Sequence, residues 1–458
     1  MISQKLYELK NWKGVLHTTW NPNGPGVIRI HLIPPKFVPF KTVDTLVIIN
    51  GQDILPINES WAILLSEYIK NVNAFGNKPM SDEELDKILS DTFKGVKKVF
   101  PRVKDEILSE DLDAMIGIFE DVARGRIVEC SKKPMTLGEY APYMTAPHRM
   151  DLMVSAMTKD GHWHCNQKCL HCYAADQELA DEKELSTDQW KEIIKKLQNA
   201  KIPQLTFTGG EPTMRDDIPE LVDAAQWFVT RLNTNGVKLT PEYCKRLYDA
   251  SLDSVQVTFY SSDADIHNKL VGAPNFDKTV EGIRNALAAG LNLSINTPLC
   301  TLNKDYRKTL EFLHEMGVMY VTCSGLILTG NATEDASVKT QLTNEELYDV
   351  LKEAVDYVYA NDMEISFTSP GWLEEDKLKE MGLTVPSCGA CLSNMAITPS
   401  GHVVPCQSWL SEEPLGDIRT EKWEKIWDSA ECKKIRDISA RMDQKCQLRG
   451  RGEDKNCY

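Results

Sequence analysis

The sequence predicts an α/β protein in which alternating strands and helices are preceded by a small α+β module and followed by a cysteine-rich tail. Three observations carry this prediction. Residues 1 to about 100 hold short extended segments followed by helices. From residue 151 to about 370 the apolar period switches between strand and helix. The 13 cysteines are spread unevenly: one precedes residue 165, three fall within eight residues from Cys165, three are scattered (Cys244, Cys300, Cys323) and six crowd the last 71 residues.

At 458 residues the chain has room for about two to four domains with ordinary cores. Hydrophobic residues make up 42% and charged residues 26%, the proportions of a soluble globular protein. No uninterrupted apolar run reaches 18 residues. The first 14 residues, with Lys5, Glu8, Lys10 and Lys13, lack the apolar stretch of a signal peptide. The expectation is a cytoplasmic protein with no membrane contact. With 52 basic against 67 acidic residues the net charge is −15, which argues against a broad phosphate-neutralising surface, so no nucleic acid partner is expected. In a reducing cytosol the cysteines read as metal ligands, catalytic groups or buried small residues rather than disulfides.

In the front module, Gly26–Leu32 and Thr45–Asn50 read as strands bounded by the turn-rich stretches 21–25 and Pro34-Pro35. Trp61, Leu64, Leu65 and Tyr68 recur with helical spacing, and Ser81 with Glu84 makes a capping box ahead of Leu85, Ile88 and Leu89. Residues 106–150 read as a helical connector, with Leu112, Ile116 and Phe119 on one face. Beyond it, the predicted strands are Leu152–Met157, Gln204–Thr208, Val229–Asn233, Ser254–Tyr260, Leu291–Thr297 and Val318–Ser324. Helices lie between them, such as 187–199, opened by a Ser186/Gln189 capping box, and 217–228. Six such units predict a parallel sheet, open or closed into a barrel, with ligands at the carboxyl ends of the strands. Residues 371–458 are loop-rich except for a predicted helix at 421–438.

After the first strand of the α/β region comes Cys165-Asn166-Gln167-Lys168-Cys169-Leu170-His171-Cys172-Tyr173, a C-x3-C-x2-C pattern. Three thiolates on one loop can hold three irons of a [4Fe–4S] cluster and leave the fourth open to a small molecule. A zinc site using His164 or His171 is the alternative. Strand 204–208 runs into Gly209-Gly210-Glu211-Pro212, where two glycines let a ligand approach the backbone and an anionic side chain suits an ammonium group.

One βα unit apart, these two motifs resemble the radical SAM superfamily, and the form Cys-Asn-x-x-Cys-x-His-Cys-Tyr is close to its peptide-modifying branches. The resemblance implies a partial (β/α)6 barrel. In it S-adenosyl-L-methionine (SAM) chelates the open iron, Gly209 to Pro212 receive its amino group, and reductive cleavage yields a 5′-deoxyadenosyl radical. Thr258 and Asn296 stand where the resemblance implies further contacts to SAM, or they cap their strands. No catalytic residue is readable. An external reductant such as flavodoxin or ferredoxin is expected.

Near the end, Cys388-x2-Cys391 is followed by Gly401 and Cys406 in a spacing that resembles the C-x9–15-G-x4-C signature of SPASM and twitch extensions, which hold auxiliary iron–sulfur clusters. The segment between Cys391 and Cys406 reads as a β-hairpin that brings its two ends together. The pattern then departs from a full SPASM region, because only Cys446 and Cys457 follow, with Cys432 inside a predicted helix. Five ligands cannot complete two [4Fe–4S] clusters, so one auxiliary cluster is expected, on Cys388, Cys391, Cys406 and either Cys446 or Cys457. Two incompletely ligated clusters and a zinc ribbon are the alternatives.

Residues 1–105 are similar in pattern to the PqqD-like leader-recognition domain, a winged-helix-like module that adds a leader peptide as an extra strand at a sheet edge. Read together, the three regions resemble a radical SAM peptide maturase of the sactipeptide and ranthipeptide kind, acting on a ribosomal precursor peptide with a leader. Thioether formation is the first expectation, since an auxiliary cluster with an exchangeable ligand could bind the donor thiolate. Carbon–carbon crosslinking and epimerisation follow. The readings from other classes are radical chemistry on a protein side chain or small molecule without a leader, and a non-enzymatic iron–sulfur or zinc scaffold.

Overall fold

The structure is a computed structural model and describes residues 16–20, 28–33, 44–51, 53–75, 80–124, 135–368, 373–386, 388–441 and 447–450. The chain forms two compact units: residues 1–148 with 197–203, and residues 149–196 with 204–458.

In the first unit, strands β1 (Leu16–Trp20), β2 (Ile28–Ile33), β3 (Thr45–Ile49) and β4 (Asp53–Ile57) form an antiparallel sheet in sequential order. Helices α1 (Glu59–Phe75), α2 (Asp82–Lys97) and α3 (Asp105–Ala123) follow. The reciprocal Ser81/Glu84 capping box opens α2 as the sequence predicts. One core joins Ile30, Leu32, Val47, Ile49, Ile63 and Leu64 to Leu108, Leu112, Met115 and Phe119 of α3. The segment read as a connector therefore begins as part of this core, because α3 presents an apolar stripe that has to be covered.

The second unit is built on a ten-stranded sheet. Its parallel strands are β5 (Arg149–Ser155), β6 (Gln204–Gly209), β7 (Val229–Thr234), β8 (Ser254–Thr258), β9 (Leu293–Pro298), β10 (Tyr320–Ser324) and β11 (Glu364–Phe367), paired in that order. The helices between them include α4 (Thr187–Asn199), capped by Ser186 and Gln189, and α5 (Ile218–Ala224). Strand β11 lies beyond the six predicted; it is a four-residue edge strand, Glu-Ile-Ser-Phe, whose polar positions face out and mute the apolar signal.

Two features of the tail differ from the prediction. The hairpin β12 (Asn394–Ile397) and β13 (His402–Val404) forms, with β12 parallel to β5, so the cysteine-rich region extends the barrel's own sheet through to β14 (Gly416–Asp417). The predicted helix 421–438 is two helices, α6 (Trp423–Trp427) and α7 (Ala430–Ser439). The chain breaks at Ser429, whose Oγ accepts from the Cys432 N–H at 3.2 Å to cap α7. Among the described residues, no helix is long and apolar enough to cross a membrane.

Candidate functional site

The loop that carries Cys165, Cys169 and Cys172 is fastened along its length by backbone bonds. Lys168 N donates to Val271 O at 3.0 Å and Leu170 N to Leu270 O at 2.8 Å, while Asn331 donates from its N to Cys172 O and from Nδ2 to Cys169 O, at 2.9 and 3.2 Å. Two glycines permit the close passage. A Cβ on Gly272 (φ +65°) would lie 2.2 Å from Lys168 O, and one on Gly330 (φ +56°) 2.4 Å from Cys172 O. Cys165 and Cys172 pack against Met153, Met157 and Val404, whereas Cys169 packs against Tyr260, Leu270 and Leu326. The three thiols are thus held from two apolar sides around one opening.

Burial pushes the Cys165 thiol up to about 12, with Glu211 and Cys172 adding to the effect. Burial and then Cys172 and Cys165 raise Cys169 well above its ordinary value, and burial raises Cys172. Bare thiolates are costly here, and a bound metal supplies the positive charge that makes them stable. The histidines of the zinc alternative have other partners: His171 Nε2 lies 2.7 Å from Thr340 Oγ1, and His164 Nε2 3.8 Å from Glu184 Oε1. Among the described residues, no three His, Cys, Asp or Glu side chains close around a single ion.

Gly209 to Pro212 form the turn that leaves β6 beside this loop. Gly209 has φ +134°, and its Cβ would lie 2.3 Å from Ser155 O; a Cβ on Gly210 would lie 2.7 Å from Ala156 O. Both glycines are therefore required by the close passage of Ser155 and Ala156 at the end of β5. Cys165 Sγ donates to Gly210 O at 3.5 Å, which ties the two motifs together. Glu211 is 2% exposed. Its Oε1 accepts from Thr213 N (3.0 Å), Thr213 Oγ1 (2.6 Å) and Thr234 Oγ1 (2.6 Å), and its Oε2 from Asn235 N (2.8 Å). Burial pushes this carboxyl above its ordinary value, against these donors, which favour the carboxylate. Most of its capacity is spent on holding the turn and the end of β7 together.

Cys165, Cys169, Cys172, Gly209, Gly210, Glu211, Pro212, Thr258 and Asn296 all line one cavity of about 410 Å³. Thr258 and Asn296 are paired across β8 and β9, and Asn296 Oδ1 accepts from Thr322 Oγ1 at 2.9 Å. The same cavity takes in Thr206, Arg231, Asn233, Gln256, Thr322 and Ser324, which the sequence reading missed. Their signal was a strict alternation: in Val255–Gln256–Val257–Thr258 and Tyr320–Val321–Thr322–Cys323–Ser324, the fully buried residues alternate with polar ones. That pattern describes a barrel whose apolar face meets the helices and whose lumen is polar. It also turns Cys323 away from the lumen, and Cys244 and Cys300 are buried as well.

In the tail, the hairpin joins its ends as expected, with Cys391 N donating to Pro405 O at 3.1 Å. Cys388 accepts from Ser439 Oγ at 3.7 Å and from Gln447 Nε2 at 3.8 Å. Cys432, set aside in the sequence reading, neighbours Cys391, and Arg436 Nη1 donates to its Sγ at 3.5 Å. Cys446 and Cys457 lie outside the described residues, as do the stretches 21–27 and 34–43 of the front module. Next to Cys406, Gln407 reaches the cavity and accepts from Tyr173 Oη at 3.4 Å.

Residues 164–313 match the family model described as the Radical SAM superfamily, and residues 388–457 match the SPASM iron–sulfur cluster-binding domain. The chain is a radical SAM enzyme with a C-terminal SPASM domain. Its cofactors are SAM, a [4Fe–4S] cluster and auxiliary iron–sulfur. It is 29% identical over 294 residues to the AdoMet-dependent heme synthase of Methanosarcina barkeri, covering 60% of this chain and 82% of that one. It is 28% identical over 277 residues to the mycofactocin maturase MftC of Mycolicibacterium smegmatis, covering 58% and 68%. The fold is similar to that of Streptococcus suis SuiB, solved with its precursor peptide SuiA, with a TM-score of 0.60 at 14% identity over 90% of this chain and 94% of that one.

Proposed function

We propose that this enzyme modifies a ribosomally made precursor peptide and closes a thioether crosslink in it. The observation that carries the reading is the extent of the likeness to SuiB: it takes in 90% of the chain, more than the barrel and tail, and the SuiB structure holds a precursor peptide. The mycofactocin maturase supports the same direction.

When bound, the cluster and SAM together supply a 5′-deoxyadenosyl radical able to take a hydrogen atom from carbon. The chain's own residues prepare for this. Cys165, Cys169 and Cys172 are the proposed cluster ligands. The turn Gly209–Pro212 presents backbone carbonyls and Glu211 to the amino group of SAM, and Thr258 and Asn296 offer polar contacts one strand apart. Cys388, Cys391 and Cys406, with Cys446 or Cys457, are proposed for the auxiliary cluster. An exchangeable fourth ligand on this cluster, Cys446 or Cys457, would give way to a peptide cysteine, which supports the thioether. The four-stranded sheet of the first unit, within residues 1–105, is the proposed place for a leader peptide, added as a strand. A flavodoxin or ferredoxin is the proposed electron donor.

The test is co-expression with small open reading frames adjacent to the gene, followed by mass measurement and thiol alkylation. A thioether removes two hydrogens and one alkylatable cysteine per crosslink. Loss of two hydrogens with every cysteine still alkylated points to a carbon–carbon bond, and deuterium uptake without mass loss to epimerisation. The heme synthase relatives favour one other reading, a tetrapyrrole substrate. Conversion of a tetrapyrrole precursor to heme, with every co-expressed peptide unchanged, would replace the peptide reading with that one.

A further inference from the structure

The floor of the lumen carries positive charge without a matching acid. Asp151, Thr206 and Arg231 stand in one row across β5, β6 and β7, and Arg149 lies at the start of β5. Arg149 and Arg231 both line the cavity. Arg149 Nε pairs with Asp151 Oδ1 at 2.9 Å, and Asp151 is 1% exposed. Arg231 donates from Nε to Ser254 Oγ at 3.4 Å, which is a weak bond to a neutral group. The one carboxylate of this row is thus taken by Arg149, and among the described residues no carboxylate lies within ion-pair distance of Arg231.

The cavity's own acid does not restore the balance. Among the described residues, Glu211 is the only carboxylate that lines it, and it is taken up by Thr213, Thr234 and Asn235. Burial, and then Arg149, lower Arg231 to about 10, still charged at neutral pH. A second observation points the same way. Thr206 is 1% exposed, its Oγ1 has no hydrogen-bond partner, and it lines the cavity beside Arg231. A buried hydroxyl and a half-buried guanidinium, both short of acceptors and facing one space, call for an anion. This excess is set in a chain whose net charge is −15.

We propose that the lumen floor is a carboxylate subsite, in which Arg231 and Thr206, backed by the Arg149–Asp151 pair, bind a carboxylate of the substrate. The inference rests on the reading that this cavity receives the substrate, and it narrows the substrate to one with a carboxylate to anchor. A planar guanidinium suits a carboxylate in two-point contact, so the anchor sets both depth and orientation under the cysteine loop. On a peptide the group is either an Asp or Glu side chain or the C-terminus.

The test measures binding to the reconstituted holoenzyme with SAM present, by saturation-transfer NMR, using 4-methylbenzoate and its neutral isostere 4-methylbenzamide. The benzoate is expected to bind about tenfold or more tightly than the amide. Arg231→Gln should remove that preference and Arg231→Lys keep part of it. Asp151→Asn, which removes the competing carboxylate, should tighten the benzoate, a gain that a collapsed floor cannot give. Equal binding of acid and amide, an unchanged preference in Arg231→Gln, or displacement of the benzoate by SAM would overturn the proposal. None of these readings needs a peptide, so failure of the peptide reading is seen separately. Once a modified peptide is in hand, Asp→Asn and Glu→Gln changes against a C-terminal amide tell which carboxylate is held.

Discussion

The Cys391 thiol at the foot of the tail hairpin neighbours that of Cys432 on α7. Cys391, together with Arg436, holds the Cys432 thiol below its ordinary value. Arg436 is itself buried, with its guanidinium 3.8 Å from the centre of the Trp427 ring. A buried cation beside two thiols suits an anionic thiolate-ligated cluster. Cys391 is a proposed ligand of the auxiliary cluster, so Cys432→Ala, which removes its neighbour, is expected to speed the loss of that cluster's iron and acid-labile sulfide on dialysis, up to roughly four irons per chain. Unchanged iron and an unchanged electron paramagnetic resonance spectrum would leave Cys432 a packing residue.

Gly330→Ala tests the fastening of the cysteine loop. The new Cβ would meet Cys172 O at 2.4 Å, in a backbone conformation that already disfavours a side chain. A cost of about 1–3 kcal/mol is expected, with a lower Tm and faster loss of iron on dialysis. Gly317→Ala has a similar backbone (φ +89°) with nothing within 4 Å of its Cβ. It should cost about 1 kcal/mol and leave iron retention unaltered. Equal iron loss in the two variants would count against the role given to Gly330.

Glu211→Gln separates the structural and ligand roles of this carboxylate. An amide keeps one acceptor oxygen and sets an NH2 against donors that now have none, at about 1–3 kcal/mol. A lower urea midpoint without SAM is the expected result. A midpoint equal to wild type, with SAM binding alone impaired, would mean that the side chain serves the ligand only.

His267 is expected to make folding sensitive to acid. Its Nδ1 accepts from Tyr260 N at 3.3 Å, and its ring lies 4.8 Å from that of Phe259. Burial lowers its pKa from 6.5 to about 4. The unfolded chain then binds a proton that the folded one refuses, so this stability is present above pH 6.5 and is lost as pH falls from there towards 4. The loss is at most about 3 kcal/mol. Urea titrations from pH 7.5 to 5 should show a shallower decline in His267→Gln than in wild type, and parallel slopes would refute the assignment.

Much of the second unit was legible because its signals are local. The capping pair Ser186/Gln189 fixes the start of α4, and the cysteine spacing with the Gly-Gly-Glu-Pro turn fixes which end of the sheet carries the chemistry. Strand β11 escaped because four residues at an edge carry little pattern, and α3 was read as a connector because nothing local says which core will cover an apolar stripe.

The sequence by itself determined the parallel α/β core, the cysteine loop and the hairpin, since each follows from spacing within a few dozen residues. Only the tertiary structure decided that Cys432 meets Cys391, that Glu211 is consumed by Thr213, Thr234 and Asn235, and that Arg231 faces Thr206 across β6 and β7. These are encounters between distant strands and helices. Alternation tells which face a residue takes, but the pairing register tells which residue it meets there.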